Sequence, residues 1–223
     1  MIRNLSIGNS CQHIKTAHDA KLRNCVRFDL DIITFEKSDA EIRELLVTTE
    51  KQVDVGALLD TMIHAGHPPT TDDLEQLAKA VGKMFGAAPD EVAVLAVSPK
   101  SKSLKFVIPE KLAVVGSIPL TSTGALAART VRERRTEMLN NFNTSRHASV
   151  FEAVPLASRQ GQAIYKIMSA PILDGKKVMG VVQISRKGHS ASDSGADFTS
   201  KDLQALTSLA CTLQKFLVLC SVE

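Results

Sequence analysis

Residues 164–188 read IYKIMSAPILDGKKVMGVVQISRKG, and residues 197–217 read DFTSKDLQALTSLACTLQKFL. In the first stretch, two apolar runs flank Asp174-Gly175, which predicts a tight hairpin. Asp and Gly tolerate positive φ, so a type I′ turn is expected at that pair. After the turn the pattern alternates. Val178, Gly180, Val182 and Ile184 point one way, Val181 and Gln183 the other. The second stretch reads as a capped helix. Thr199 can accept from the backbone N–H of Asp202, whose carboxylate reaches back to complete a capping box. Leu203, Leu206, Leu209, Leu213, Phe216 and Leu217 then recur at helical spacing.

Upstream, Val26, Phe28, Leu30 and Ile32 alternate with Arg27, Asp29 and Asp31, the period of a half-buried strand. Ser38 and Glu41 form a capping box ahead of Ile42, Leu45 and Leu46. Val55, Leu58, Leu59, Met62 and Ile63 have helical spacing, and Gly66 with Pro68-Pro69 stops that helix. This break divides the chain into an N-terminal extension, 1–69, and a domain, 70–223. Thr70 or Thr71 caps the next helix, with Asp72 and Asp73 in its first turn. Its buried stripe is Leu74, Leu77, Ala78, Val81, Met84 and Phe85, and Gly86 closes it. EVAVLAVS and SLKFVIP then read as a strand pair across a polar turn.

The hairpin, the loop and the capped helix resemble the GAF domain family over roughly residues 70–220. That family carries a pattern of Asn-Lys, a variable loop, Phe, three residues and Asp-Glu. Lys187, Phe198 and Asp202 stand at the matching positions, while Arg186 and Leu203 replace the Asn and the Glu. The resemblance implies that Lys187 pairs with Asp202 and ties the loop to the last helix. Other stretches are similar to the family as well. Ile118-Pro119 precedes a turn containing Gly124, then a helix to about Glu133 and a strand near Glu137 to Asn141. RHASVFEAV reads as a short helix. The implied fold is α+β, an antiparallel sheet of about six strands with helices on both faces. The first and last helices of the domain share one face. The segment from about 120 to 160 covers the other, with a ligand cavity beneath it.

Composition narrows the function. A net charge of +3 is too weak to point to nucleic acid, and 4% aromatic residues supply few stacking platforms. No run approaches the roughly 18 apolar residues that span a bilayer. The first residues lack the apolar core of a secretory signal, so a cytoplasmic protein is expected. Cys11, Cys25, Cys211 and Cys220 show no CxxC spacing and read as free thiols, with no metal site. No cysteine lies between Cys25 and Cys211. Family members that attach a bilin or reduce methionine sulfoxide use a cavity cysteine, so neither activity is expected here. Some members ligate haem through histidine. His147 is the histidine in the expected cover, with a solvated or capping role as its ordinary reading. The residues name no cofactor.

No nucleophile–base pair or phosphate loop is evident, so a non-enzymatic regulatory protein is expected. The resemblance implies a sensor of a small cytosolic ligand, with a cyclic nucleotide as one candidate, that signals to an unidentified protein by contact. The ligand-binding candidates are Thr121, Ser122, Thr123, Asn140, Asn141, Asn143 and Arg146 in the cover, and Ser169 on the strand. Backbone N–H groups near Ser122 suit an anion; the plainer role of these residues is capping and turn formation. Arg129, Arg132, Arg134 and Arg135 read as a solvated helix face. The alternative function is a ligand-free dimerisation or scaffold module, in which the stripe from Leu203 to Leu217 pairs with a second copy. A homodimer is expected in either case.

Overall fold

The computed structural model describes residues 55–114, 116–142 and 162–220. The strand expected at 26–32, the capping box of Ser38 and Glu41, the helix expected at 146–154, and Asn143, Arg146 and His147 lie outside these residues. Two long strands, β5 (Ala163–Asp174) and β6 (Lys177–Gly188), form the predicted hairpin. Asp174 pairs with Lys177, so the loop is Gly175-Lys176. Gly175 has a φ of 57°, and Lys176 is not among the residues with positive φ. Type I′ requires positive φ at both central residues. The expected turn type is therefore corrected. The register keeps Asp174 in the strand and leaves a lysine, whose Cβ resists the left-handed region, at the second position.

β1 (Val92–Ser98) and β2 (Ser103–Ile108) form the second hairpin, followed by the short strands β3 (Ser117–Pro119) and β4 (Glu137–Leu139). The antiparallel sheet runs β3-β2-β1-β6-β5-β4, six strands as expected. Alternation on β1 and β6 separates two cores. Val92, Val94, Val182 and Ile184 face one cluster; Ala93, Leu95 and Val181 face the other. Pairing irregularities change the phase where needed. Ile164 pairs with Lys187 and Lys166 with Arg186, so Tyr165 is an extra residue. That bulge lets Ile164 and Ile167 point into the same cluster despite their odd spacing.

Four helices of the described residues cover the sheet. Helix α1 spans 55–65, α2 is Thr71–Phe85, α3 is Leu126–Glu133 and α4 is Ser200–Leu219. α1, α2 and α4 bury their apolar residues in the larger core, and α3 lies on the other face. The capping box expected at α4 forms, the Asp202 carboxylate accepting from the Thr199 N–H at 2.7 Å. Of the two threonines read as the cap of α2, Thr70 takes the role and makes a full capping box with Asp73. Gly180 lets α4 approach β6. A Cβ there would collide with the Leu95 carbonyl oxygen and the Leu217 side chain.

Leu206, Leu209, Leu213, Phe216 and Leu217 of α4 are buried against the sheet. The stripe expected to pair with a second copy is thus occupied within its own chain. A homodimer requires another surface.

Val55, Leu59 and Met62 of α1 join the same cluster as Leu77 and Phe216. Leu59 is fully buried. Leu59→Ala is expected to cost about 2–5 kcal/mol of unfolding free energy, the cost of a cavity in a packed core. Urea denaturation measures it. A loss below about 0.5 kcal/mol, the range of surface substitutions, would mean that α1 does not belong to this core.

Candidate functional site

Strand register builds a polar row on the α3 face of the sheet. Glu137 pairs with Ser169, and Ser169 pairs with Gln183, so three polar residues stand abreast on β4, β5 and β6. α3 places Thr130 above them. Thr130 and Ser169 are fully buried, and Gln183 is nearly so. The Thr130 hydroxyl donates to the Leu126 carbonyl at 3.0 Å. Its single proton is thereby used, so Ser169 donates to Thr130 Oγ1 at 2.7 Å and Gln183 Nε2 donates to Ser169 Oγ at 3.1 Å. The chain of bonds has one direction, from Gln183 through two hydroxyls to a helix carbonyl.

At the β4 end, the Glu137 carboxylate accepts from Arg129 Nη2 at 2.5 Å and lies 2.8 Å from Arg135 Nη2. Its side chain is only 10% exposed. The hydrogen bond to Glu133, then the charges of Glu133 and Glu137, push the Arg135 guanidinium still further above its ordinary pKa. Arg129 Nε is buried without a hydrogen-bond partner, while Glu137 Oε1 is held by the Arg135 charge. The row therefore joins a directed chain of neutral bonds to a carboxylate shared by two arginines, with one buried donor unused.

The predicted site residues separate into three places. Thr121 and Thr123 are exposed in the turn after β3, and Ser122 Oγ accepts from the Ala125 N–H at 3.2 Å, a turn bond; the N-cap of α3 is Ala125, with no side-chain cap, so the capping role expected of Ser122 is corrected. Arg132 closes the same turn by donating to the Leu120 and Ser122 carbonyls. Asn140 and the exposed Asn141 follow β4, at the opposite edge of the sheet. Ser169 belongs to the polar row. The structure does not bring these groups together. Thr130, Gln183, Glu137 and Arg129 were not among the expected residues. Gln183 carried a signal, a polar side chain inside the apolar run VVQIS.

The motif residues hold the fold in a different way from that expected. Lys187 Nζ donates to the Asp90 carbonyl at 2.7 Å and pairs with its carboxylate at 3.3 Å. Asp202 is engaged by Thr199. The expected Lys187–Asp202 pair is therefore corrected. β6 ends beside the turn that connects α2 to β1, and Asp90 of that turn is the carboxylate within reach. Phe198 is buried, with the Arg186 guanidinium 4.5 Å from its ring centroid.

A separate cleft of about 550 Å³ lies beside α2. Leu74, Ala78, Ile108 and Pro109 form its apolar wall, with Glu75, Lys79 and Lys111 among the polar lining. It is on the larger-core side of the sheet, away from α3, and no described residue of the cover expected over 120–160 lines it. Among the described residues no group of His, Cys, Asp and Glu could hold a metal ion, and no helix is long and apolar enough to cross a membrane.

Comparison with known proteins adds the following. The model of the family described as GAF domain matches residues 69–213. No curated protein sequence matches the chain. The GAF domain of an Acinetobacter phosphoenolpyruvate-protein phosphotransferase superposes with a TM-score of 0.52 at 18% identity, over 75% of this chain and 92% of that one. Free methionine-R-sulfoxide reductase from Neisseria meningitidis, solved with its substrate, gives 0.51 at 16% identity, over 84% and 95%. Residues 122 to 287 of a methyl-accepting chemotaxis protein give 0.50 at 15%, over 74% and 94%. At these identities the likeness is one of fold.

Two outcomes follow from this geometry. Ser169→Ala removes the middle of the bond chain and leaves Thr130 and Gln183 short of a partner, so it is expected to cost about 1–3 kcal/mol. Adding Thr130→Val to it costs less than the two single losses summed, as chemical denaturation of the cycle will show. Burial pushes the Cys220 thiol up to about 12 from an ordinary value of 9.0. With the folded value raised, its contribution to stability is complete below about pH 9 and is lost as pH rises toward 12. At pH 8 the exposed Cys211 is expected to alkylate well before Cys220, followed by peptide mass mapping.

Proposed function

The chain belongs to the GAF domain family, a family of regulatory ligand-binding and signalling domains, and we propose that it is a non-enzymatic member. In this reading it senses a small polar ligand of the cytosol and signals to a partner protein by contact. The observation that carries it is the polar row beneath α3. Polar side chains set into an apolar sheet face cost stability unless they are bonded. Here a buried donor on Arg129, Nε, stays unused, and the Glu137 carboxylate is shared between Arg129 and Arg135. A ligand with an acceptor for Nε and a donor that displaces Arg135 fits this pair, and a cyclic nucleotide is the first class to test. The guanidinium of Arg129 suits a phosphate oxygen, while the Glu137 carboxylate suits an N–H of a base.

The chemistry available in the chain supports a binding role over catalysis. The Neisseria structural neighbour is a reductase of free methionine sulfoxide. Thiolate chemistry at the equivalent face needs a cysteine there, and none occurs between Cys25 and Cys211. Cys211 and Cys220 belong to α4 and its C-cap, on the other side of the sheet from α3. The division into an extension, 1–69, and a domain, 70–223, is kept in this reading. α1 is the part of the extension that docks on the domain's core.

Titration calorimetry with cyclic nucleotides and common cytosolic metabolites tests the proposal. One compound is expected to bind, and Ser169→Ala is expected to weaken it by about tenfold, the worth of one buried hydrogen bond. Lys111→Ala, in the α2 cleft, leaves the affinity unchanged. A ligand that responds to Lys111→Ala and ignores Ser169→Ala moves the site to the cleft. Silence across the whole panel would sink the sensor reading.

A further inference from the structure

Asn140 stood as a ligand contact in the sequence, yet both ends of its amide are taken. Nδ2 donates to the Phe198 carbonyl and Oδ1 accepts from the Phe198 N–H, each at 2.9 Å. The side chain grips one residue of another segment as a neighbouring strand would. That residue directly precedes Thr199, the N-cap of α4. A second tie runs from Thr136 to Thr207 of α4, their hydroxyl oxygens 3.3 Å apart. Thr136 and Asn140 flank β4 on its two sides. Between them, β4 turns Glu137 toward the polar row and Met138 toward the larger core. One three-residue strand therefore touches the candidate ligand site with one residue and is flanked by two ties to α4, Asn140 just before its N-cap and Thr136 at Thr207, two turns in.

β4 is also an element that can move. Among the described residues it is an edge strand that pairs with β5 through three residues. Short edge pairings open at a lower free-energy cost than the interior of a sheet. We propose that β4 relays the state of the polar row to α4, through the clamp of Asn140 on Phe198. The proposal rests on the row being the ligand site. When the carboxylate of Glu137 changes partners, β4 shifts against β5, and the two bonds to Phe198 strengthen or fail with it. The first turn of α4 then tightens or frays. Asn140 is a positioning residue in this scheme and makes no contact with ligand.

Hydrogen exchange of the full chain tests the relay without any ligand. Glu137→Gln disturbs the row by removing the charge that Arg129 and Arg135 hold. The Phe198, Asp202 and Leu203 amides are expected to exchange about tenfold faster in that variant. In an Asn140→Ala background these amides are already fast, and adding Glu137→Gln changes them by less than about twofold. Asn140→Asp keeps the acceptor for the Phe198 N–H and loses the donor, so it falls between the two. It decides the question if Asn140→Ala loses the protection of Leu77 and Val81 in α2, the control for the intact fold. No response at α4 to Glu137→Gln, or a response of equal size with and without Asn140, overturns the relay. A ligand that binds the row without changing α4 protection also overturns it while leaving the sensor reading intact. Failure of the titrations to find a ligand removes the sensor and leaves the exchange result to stand on its own.

Discussion

The register of β6 is the constraint on which the rest of the structure depends. This strand is paired on both sides, to β1 and to β5, so one alignment sets two interfaces at once. It commits Val182 and Ile184 to the core under α4, and Val181 and Gln183 to the face under α3. A slip of one residue would exchange these sets and put Gln183 among leucines. The close approach of Leu217 to Gly180 adds a steric lock to the same register, because only position 180 lacks a side chain at that crossing. The polar row is thus a consequence of where the apolar residues must go.

A second constraint sits at the end of β6. Glu91 is 7% exposed, and its carboxylate accepts from the N–H groups of Ala88 and Lys187, each at 2.7 Å. Its backbone carbonyl accepts from Ser185 Oγ. A buried carboxylate is costly unless its oxygens are bonded, and here they bind two strands and a turn together. Arg186 extends the knot by donating to the Phe85 carbonyl, the last residue of α2. The end of α2, the start of β1 and the end of β6 are therefore fastened at one corner.

Much of this was legible in the sequence where the signal is local. The Thr199-Asp202 capping box lies within four consecutive residues and forms as read, and a threonine caps α2 as read. The alternation along Val178–Ile184 and the helical stripe of α4 likewise depend on short-range periodicity. The misread features are those decided by distant partners. Lys187 was assigned to Asp202 by family pattern, but Asp90, far away in the chain, is the carboxylate at its strand end. Thr130, Ser169 and Gln183 meet because β5 and β6 share a register and α3 crosses above them, and no spacing within any one segment encodes that meeting. Asn140 shows the same limit: its residue type suited a ligand, and only the position of Phe198 shows that its amide is occupied.

The two borders of the sheet have one more consequence, for how the protein behaves in a crowd. β3 and β4 are each three residues long. Pro119 terminates the outer row of β3 and offers no N–H, and β4 is preceded by Arg134 and Arg135, both exposed. An arriving strand from another molecule finds few free backbone groups on either border, and a charged approach on one of them. Among the described strands the two outermost are therefore poor templates for edge-to-edge aggregation.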